Sequence, residues 1–409
     1  MPLSSVDYET MVQPPTIVIR GMGSISPLGC SSEEVWESYQ SSSSCIGTRD
    51  LNEGPTPVAA LGGRAESRLE ELRREKEPYQ RLDRTVAMAL FASRQAVAQS
   101  GWSSSNDVGI NIGSSRGATS LFESFHGAFL AHAHHRVPTL ASPLTTLGNL
   151  SSWVAQDLRS DGMSFSHSVT CSTALQSLLN ATAWLRSGMA RRFIAGGTEA
   201  PLTAFTVAQM KALRIYSDRL GEAYPSRPLA MDAERNSMVL GEGAAVFCVD
   251  RWDEKDDSPV LAVVESVGYA NERISHNASL SQEGECLYHS MRMALDGLDE
   301  SRTVDAILLH APGTLQGDRS ELAAVCKLFG ERIPYLCSNK WKIGHTLGAS
   351  GALSLELAIL MLQHQTYVPF PYPVLVNGEP GKLRTILINA SGFGGNAVSV
   401  ILSRPESRG

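Results

Sequence analysis

The feature of this sequence that most limits its fold is an alternation of short apolar runs with longer helical ones. The short runs predict strands at 16–20, 108–112, 192–195, 260–268, 306–310 and 385–389. The longer runs predict helices at 84–100, 148–158, 173–185, 283–298, 319–329 and 348–363. This alternation is typical of an α/β protein with largely buried sheets. The charged segment 253–259, which ends in proline, predicts a junction between two halves.

The composition argues against several classes of function. The chain has 409 residues, of which 43% are hydrophobic, and this is enough for a substantial core. A net charge of -7 argues against broad binding to nucleic acid or to anionic membranes. The seven cysteines have neither the spacing of a disulfide framework nor that of a zinc site. Residues 1–15 lack the features of a secretory signal, and the apolar helix at 352–362 is too short to span a bilayer, so we expect a cytoplasmic protein.

The charged run 64–76 has two competing interpretations. It interleaves Arg68, Arg73 and Arg74 with glutamates. We favour a solvated helix that carries charge pairs along its own surface. The alternative is a docking face for an acidic partner.

A compact basic cluster follows later in the chain, formed by His132, His134, His135 and Arg136. Histidines at such a spacing can bind a metal. No carboxylate or cysteine lies close by in the sequence to complete a site. We therefore predict no metal, and we favour a loop at the surface or at the mouth of a pocket.

Cys171 lies where a predicted apolar strand meets the helix at 173–185. The unpaired N–H groups and the dipole of a helix N-terminus favour an anion, and so favour a thiolate over a thiol. The small residues Ser172, Thr173 and Ala174 let another molecule approach. For a lone cysteine, a buried structural role is the simpler interpretation. Residues further along the chain favour the reactive one.

Three further clusters place polar reactive residues after apolar strands, among small residues. They occupy 310–318, 338–349 and 389–396. Ligands gather at strand ends in α/β folds. Either His310 or His345 alone would be explained equally well as a core residue. The two together, with Cys171, predict a Cys-His-His site.

At this point the sequence resembles the β-ketoacyl-[acyl-carrier-protein] synthases of the elongating type, which are the condensing enzymes of fatty-acid and type II polyketide synthesis. The ordered anchors of the resemblance are Cys171, Gly196-Gly197-Thr198-Glu199, Ser226-Arg227-Pro228, Gly241-Glu242-Gly243-Ala244, His310 followed by Gly317-Asp318, Lys340 five residues before His345, and Phe393-Gly394-Gly395. The family pattern implies the thiolase fold, an α/β five-layer αβαβα sandwich of two pseudo-repeated halves. These halves would be 1–257, with the cysteine, and 258–409, with the histidines and lysine.

The resemblance also implies a role for each catalytic residue. Cys171 would take the acyl chain from the carrier protein as a thioester. His310 and His345 would donate hydrogen bonds to the malonyl thioester carbonyl while carbon dioxide leaves and an enolate develops. Lys340 would orient His310 and tune the charge of the site.

Further residues would assist. The N–H groups of Cys171 and Phe393 would form an oxyanion hole. Phe393 would also gate malonyl entry, and Asp318 and Glu321 would support the site from behind. No cofactor is implied, because the substrates arrive on the phosphopantetheine arm of acyl carrier protein. In agreement, the segment 21–29 lacks the third glycine of a dinucleotide fingerprint.

Three positions depart from the family pattern. The usual His-Gly-Thr-x-Thr has Pro312 at its first threonine, which removes one hydroxyl that can contact the arm, while Thr314 remains. Ser391 replaces the first phenylalanine of Phe-Gly-Phe-Gly-Gly. Arg116 falls near a normally apolar position at the base of the acyl pocket, where an unpaired charge is costly to bury. We hypothesise that Arg116 shortens the pocket, meets a polar chain end or pairs across the dimer.

The segments 197–203 and 209–213 are similar to synthases of aryl-polyene and flexirubin-type pigment pathways. This implies an aryl-primed polyenoyl chain. The predicted partners are acyl carrier protein and a second subunit, either an identical copy or a chain-length-factor-like paralogue. Because the carrier protein is acidic, the candidate docking residues are basic. They are Arg68, Arg73, Arg74, His135, Arg136 and Arg214.

Rival functions fit the sequence less well. A chain-length-factor subunit is catalytically silent and normally lacks the nucleophile, whereas Cys171 is present. A degradative thiolase would use a second reactive cysteine late in the chain, but the last one is Cys337. An initiating synthase would normally carry asparagine where His345 stands. We therefore predict an acyltransferase that condenses malonyl-carrier with a cysteine-bound acyl chain.

Overall fold

The computed structural model of the chain describes residues 15–51, 54–103, 106–131, 136–253, 258–273 and 280–405. The strands of these residues are β1 (Ile17–Ile25), β2 (Gly47–Asp50), β3 (Pro55–Ala59), β4 (Gly109–Gly113), β5 (Ser164–Phe165), β6 (Arg192–Glu199), β7 (Leu240–Gly241), β8 (Gly243–Arg251), β9 (Ala262–Asn271), β10 (Ala306–Leu308), β11 (Tyr335–Cys337), β12 (Thr385–Gly392) and β13 (Asn396–Ser403). The helices are α1 (Ser32–Gln40), α2 (Gly63–Arg74), α3 (Glu77–Gln80), α4 (Arg84–Ser100), α5 (Thr119–Ala131), α6 (Ala141–Thr145), α7 (Asn149–Leu158), α8 (Thr173–Ser187), α9 (Ala204–Ala212), α10 (Glu285–Asp296), α11 (Leu315–Phe329), α12 (Lys340–Ile343) and α13 (Ser350–His364).

Ten strands form two five-stranded units with the same connectivity, among the residues that the structure describes. The first unit has the order β5-β4-β6-β8-β1 and the second has the order β11-β10-β12-β13-β9. In each unit the two pairings at the outer edge are parallel and the other two are antiparallel. A short ladder between β1 and β9, with Ile17 opposite Val264, joins the units. This shared topology confirms the predicted pseudo-repeated halves, although their sequences do not repeat. The predicted boundary at 257/258 lies between β8 and β9, beside residues 254–257 outside the described set, and stays a prediction.

The helices form the other layers of the sandwich. Helices α8 and α13 contact each other at the centre, where α8 packs on β4 and β6 and α13 packs on β12. Their apolar side chains, such as Leu178 and Leu357, belong to one core cluster with strands of both halves. Helices α4 and α7 cover the outer face of the first unit, and α10 covers that of the second with α11 packed against it. This is the predicted order of five layers.

The segment Leu347–His364 is apolar and long enough to cross a membrane, and it is the one such helix in the described part of the chain. It includes α13 and the 3₁₀ turn before it. However, 89% of the segment is buried inside the protein. It is therefore a core helix between the two five-stranded units. The prediction that this segment is too short to span a bilayer is wrong, because the helical segment has 18 residues.

The segment before Cys171 differs from the predicted apolar strand. Strand β5 has two residues at the outer edge of its unit, and an irregular stretch follows it. Side chains hold that stretch in place: Ser166 Oγ donates to Ser151 Oγ at 2.8 Å, and Ser168 Oγ donates to Ser115 O at 3.0 Å. Serine side chains compete with the backbone for hydrogen bonds, which explains why the strand is short.

Candidate active site

Cys171 lies two residues before the start of α8, as predicted. The preceding residue, Thr170, has a φ of 51°, which is a strained conformation for a β-branched residue. Two hydrogen bonds hold it there. Thr173 Oγ1 donates to Thr170 O at 2.6 Å, and Thr170 Oγ1 donates to Phe393 O at 3.2 Å. The strained turn therefore fixes the cysteine against the loop that carries Phe393.

The loop between β12 and β13 approaches the cysteine very closely. A Cβ on Gly392 would lie 1.9 Å from Thr170 Oγ1 and 3.1 Å from the backbone nitrogen of Cys171. Gly394, at a φ of 100°, reverses the chain after Phe393, which is 38% exposed. Only glycine at 392 allows the backbones of Cys171 and Phe393 to lie side by side, as an oxyanion hole requires.

Substitution of Gly392 by alanine tests this close approach. We expect Gly392→Ala to lower the rate of Cys171 acylation by about a hundredfold, because a displacement of about 1 Å costs that much. Overpacking should lower the free energy of unfolding by about 1–3 kcal/mol. Rapid-quench acylation and thermal unfolding would measure both effects. The matched control is Gly127→Ala in α5, where a Cβ meets open space and should slightly stabilise the helix. An unchanged acylation rate in Gly392→Ala would contradict the prediction.

A cavity of about 330 Å³ opens at the cysteine. The sequence-predicted residues that line it are Cys171, His310, Thr314, His345, Ser391 and Phe393. Apolar side chains such as Met210 and Leu347 form much of the remaining wall. Lys340, Asp318, Glu321 and Arg116 lie outside the lining. The tertiary fold thus joins a cysteine from the first half with two histidines from the second.

His310 and His345 face each other with ring centroids 5.1 Å apart and planes at 84°. Both are buried, and neither Nδ1 atom has a hydrogen-bond partner among the described residues. Burial, assisted by the charge of Lys340, lowers the pKa of His345 to about 3. Burial, followed by the charges of His345 and Lys340, holds the pKa of His310 well below its usual value. Both imidazoles are therefore neutral near pH 7, and each keeps one N–H to donate.

Lys340 lies behind the histidines and is 1% exposed. Its Nζ donates to Asn339 Oδ1 at 3.1 Å and to Ser354 Oγ at 3.5 Å. Burial lowers the pKa of Lys340 to about 8, and Glu321 opposes that shift. Within the described residues Lys340 makes no hydrogen bond to His310, so its role in orienting His310 stays a prediction. Lys340 instead acts on both imidazoles through its charge.

Asp318 and Glu321 support the backbone that carries His310. Glu321 Oε1 accepts from the N–H of His310 at 2.9 Å. Asp318 accepts from the N–H groups of Gly313 at 3.0 Å and Leu229 at 2.9 Å. Burial raises the pKa of Asp318 to about 7 and also raises the pKa of Glu321. Both carboxylates lie behind the site, as predicted.

Glu199 is a site residue that the sequence indicated only as part of a motif. Its carboxylate accepts from Ser114 Oγ and from three N–H groups, of Ser115, Arg116 and Gly348. It thereby joins the end of β6 to the segments behind Cys171. The available signal in the sequence was an acidic residue directly after a buried strand. A buried carboxylate needs hydrogen-bond donors around it, so such a residue indicates an organised polar site.

The thiol of Cys171 is less acidic than the sequence indicated. Burial raises its pKa to about 12, and the charge of Glu199 contributes in the same direction. Lys340 and Arg116 lower the pKa, but by less. Loss of solvation therefore acts against the thiolate that the helix N-terminus favours.

This pKa gives a testable pH dependence. The thiolate is the nucleophile, so alkylation of Cys171 by iodoacetamide should accelerate about tenfold per pH unit from about pH 7 to about pH 10. No plateau should occur near the ordinary thiol pKa of about 8.5. Peptide mapping by mass spectrometry would measure the rate at Cys171. In Lys340→Met, alkylation should be slower below about pH 8, where the lysine is protonated. A plateau with a midpoint below about pH 8 would restore the thiolate interpretation.

Arg116 lies behind the cavity wall. Its guanidinium donates to the side-chain oxygen of Gln209, which precedes the wall residue Met210. Its backbone N–H donates to Glu199 at 3.1 Å. The side chain is thus half-buried and bound to an amide of the same chain.

The candidate docking residues occupy different settings. Arg68 pairs with Glu71 at 2.8 Å on α2, and Arg73 pairs with Glu70 at 3.7 Å, which confirms the solvated charge-paired helix. Arg214 is exposed beside the cavity wall at Leu213. Arg74 and Arg136 are exposed. The remaining candidate, His135, lies outside the described residues, as do its neighbours His132 and His134.

Comparison with known families identifies the family of this chain. The model of the "Beta-ketoacyl synthase, N-terminal domain" matches residues 15–255, and that of the "Beta-ketoacyl synthase, C-terminal domain" matches residues 261–371. The chain belongs to the β-ketoacyl synthase family. This synthase is 27% identical over 418 residues to 3-oxoacyl-[acyl-carrier-protein] synthase 2 of Staphylococcus aureus, covering 97% of this chain and 100% of that protein.

Two further comparisons agree. The synthase is 28% identical to the protein assigned as granaticin polyketide β-ketoacyl synthase 1 of Streptomyces violaceoruber, covering 95% of this chain and 98% of that protein. One chain of a solved complex, that of a type II polyketide acyl-carrier protein with its ketosynthase bound to the hexaketide, shares the fold. The TM-score is 0.84 at 20% identity, over 96% of this chain and 100% of that one. The predicted thiolase fold and acyltransferase activity are confirmed.

Proposed function

We propose that this synthase loads an acyl chain on Cys171 and extends it with the two-carbon unit of malonyl-carrier. The observation that carries the proposal is the meeting of one cysteine and two neutral imidazoles at a single cavity. In the first half-reaction, Cys171 sulfur attacks the acyl thioester carbonyl and the carbon–sulfur bond to the carrier breaks. The proton of the Cys171 thiol passes to the departing sulfur, and the carrier thiol leaves. A thioester exchanges for a thioester, so this step needs little driving force.

The second half-reaction needs the histidines. The bond between the malonyl carboxylate and its methylene carbon breaks, carbon dioxide leaves, and the electron pair moves to the thioester oxygen as an enolate. His310 and His345 donate N–H groups to that oxygen, where negative charge grows. The enolate carbon then attacks the acyl carbonyl on Cys171, and the sulfur leaves as the new carbon–carbon bond forms. These residues stabilise the enolate by hydrogen bonds, so we propose that no cofactor is needed.

Carrier protein is the proposed macromolecular substrate. Exposed Arg214 at the cavity mouth offers positive charge for an acidic carrier. A second subunit, identical or chain-length-factor-like, is also proposed. The outer edge strand β5 and the exposed apolar side chains Phe122, Leu130 and Leu140 on and near α5 and α6 provide a surface for it. We propose that the assembly works in the cytoplasm.

We propose repeated malonyl extension of an aryl-primed polyenoyl chain, which rests on the similarity of the segments 197–203 and 209–213 to pigment synthases. The test is mass spectrometry of carrier-bound products from malonyl-carrier and a panel of acyl and aryl primers, with and without a candidate partner subunit. No condensation in any combination, with Cys171 unacylated, would reject the catalytic function. Products from straight-chain acyl primers alone would reject the pigment pathway.

Arg116 provides a prediction about chain length. If its pairing with Gln209 closes the base of the acyl site, Arg116→Ile should open that base and shift products toward longer chains. The measurement is the distribution of product lengths under a fixed ratio of primer to malonyl-carrier. The matched control is Arg74→Ile, an exposed arginine on α2. An unchanged distribution in Arg116→Ile would reject a role in chain length.

A further inference from the structure

The mouth of the cavity lacks one hydroxyl that the family pattern provides. Pro312 lines this mouth and has no donor. Thr314 also lines it, but its Oγ1 caps helix α11 by accepting from the N–H of Gly317 at 3.2 Å. Thr314 keeps its O–H as a donor, so a free acceptor for a ligand N–H is better supplied by another side chain. Gln316, the second residue of α11, is a neighbouring polar residue of the lining.

Gln316 is held in one orientation. Its Nε2 donates to Leu280 O at 2.9 Å. Because a backbone carbonyl only accepts, the amide nitrogen must face Leu280, and the other end of the group is the oxygen. Gln316 Oε1 has no hydrogen-bond partner among the described residues. An oriented and unoccupied acceptor thus lies on the path into the cavity.

The other amide side chain at the mouth is bound to the protein at both its oxygen and its nitrogen. Asn236 Oδ1 accepts from the N–H of Leu315 at 2.9 Å, and its Nδ2 donates to Arg214 O at 2.8 Å. Asn236 therefore holds the start of α11 against the loop that carries Arg214. It is a positioning residue, whereas Gln316 is the amide whose oxygen has no partner among the described residues.

We propose that Gln316 Oε1 accepts a hydrogen bond from an amide N–H of the substrate's phosphopantetheine arm. This rests on the proposed function. A pantetheine arm carries two secondary amides between its thiol and its phosphate end, and each presents one N–H donor. To reach Cys171, the arm passes the mouth where Gln316 lies. The glutamine replaces the contact that Pro312 cannot make, so Gln316 is a substrate-binding residue of this synthase.

The test is a double-mutant cycle in which the Gln316 side chain and the arm are changed separately and then together. The substrate is malonyl-pantetheine without carrier protein. Two arm analogues each replace one amide N–H by an ester oxygen. In the wild-type enzyme, one analogue should raise KM about three- to tenfold with kcat unchanged, which is the usual effect of one lost neutral hydrogen bond. Gln316→Leu should raise KM for the native arm by the same factor. That analogue should then cause no further increase in the variant.

The outcomes separate the two proposals. If each analogue raises KM by the same factor in Gln316→Leu as in the wild-type enzyme, Gln316 does not bind the arm and the inference is overturned. If the wild-type enzyme forms no condensation product from any arm, the proposed function fails instead. Thermal unfolding and the alkylation rate of Cys171 should match between Gln316→Leu and wild type, which excludes damage to the fold. Because no carrier protein is present, altered docking does not contribute to the result.

Discussion

Replacement of Cys171 by alanine is expected to abolish acyl loading. The sulfur is the atom that forms the thioester, and no other side chain of the cavity lining is a comparable nucleophile. We expect the rate of acyl transfer from the carrier to fall by at least about a thousandfold. Intact-protein mass spectrometry after incubation with acyl-carrier would detect the added acyl mass in wild type and its absence in Cys171→Ala.

Other cysteines provide the control for this experiment. Cys326 is a free, half-buried thiol on α11 with no described role in the cavity. Cys326→Ala should load acyl chains at the wild-type rate, because Cys326 does not line the cavity. The substitution should also preserve the fold, because alanine is compatible with the helix. Acyl mass on Cys171→Ala at a rate near that of wild type would reject Cys171 as the nucleophile.

The second large effect concerns the histidines, whose loss should separate the two half-reactions. His345→Ala or His310→Ala should slow condensation by about a hundred- to a thousandfold, which is the usual cost of removing one donor to a developing oxyanion. Acyl loading should fall less than about tenfold, because that step does not create an enolate. Single-turnover measurements with pre-acylated enzyme would isolate the second half-reaction.

The geometry also predicts how the two substitutions combine. The rings lie 5.1 Å apart and serve one oxygen atom in the proposed mechanism. Residues that act as a unit are not additive, so the double variant should be only slightly slower than the worse single one. His289→Ala, an exposed histidine on α10, is the control and should not change either half-reaction. Equal loss of loading and condensation in the single variants would count against these roles.

Local patterns in the sequence predicted much of the fold. The helix predicted at 84–100 has the bounds of α4, and the helix predicted at 173–185 differs from α8 by two residues at its end. Apolar periodicity and helix ends depend on near neighbours, which is why such elements are predictable. The strand predicted before Cys171 is wrong because Ser166 and Ser168 bond to distant partners that the sequence does not reveal.

For the site, too, the sequence and the tertiary structure decide different properties. The sequence alone determined the prediction of which residues carry the chemistry: Cys171, His310 and His345 each stand in a motif whose residue types suit acyl transfer. Only the tertiary structure decided their state. It buries the thiol and both imidazoles in one cavity, which raises the pKa of Cys171 to about 12 and lowers that of His345 to about 3. Solvation depends on every chain segment packed around a group, and segments of both halves of the fold surround this cavity.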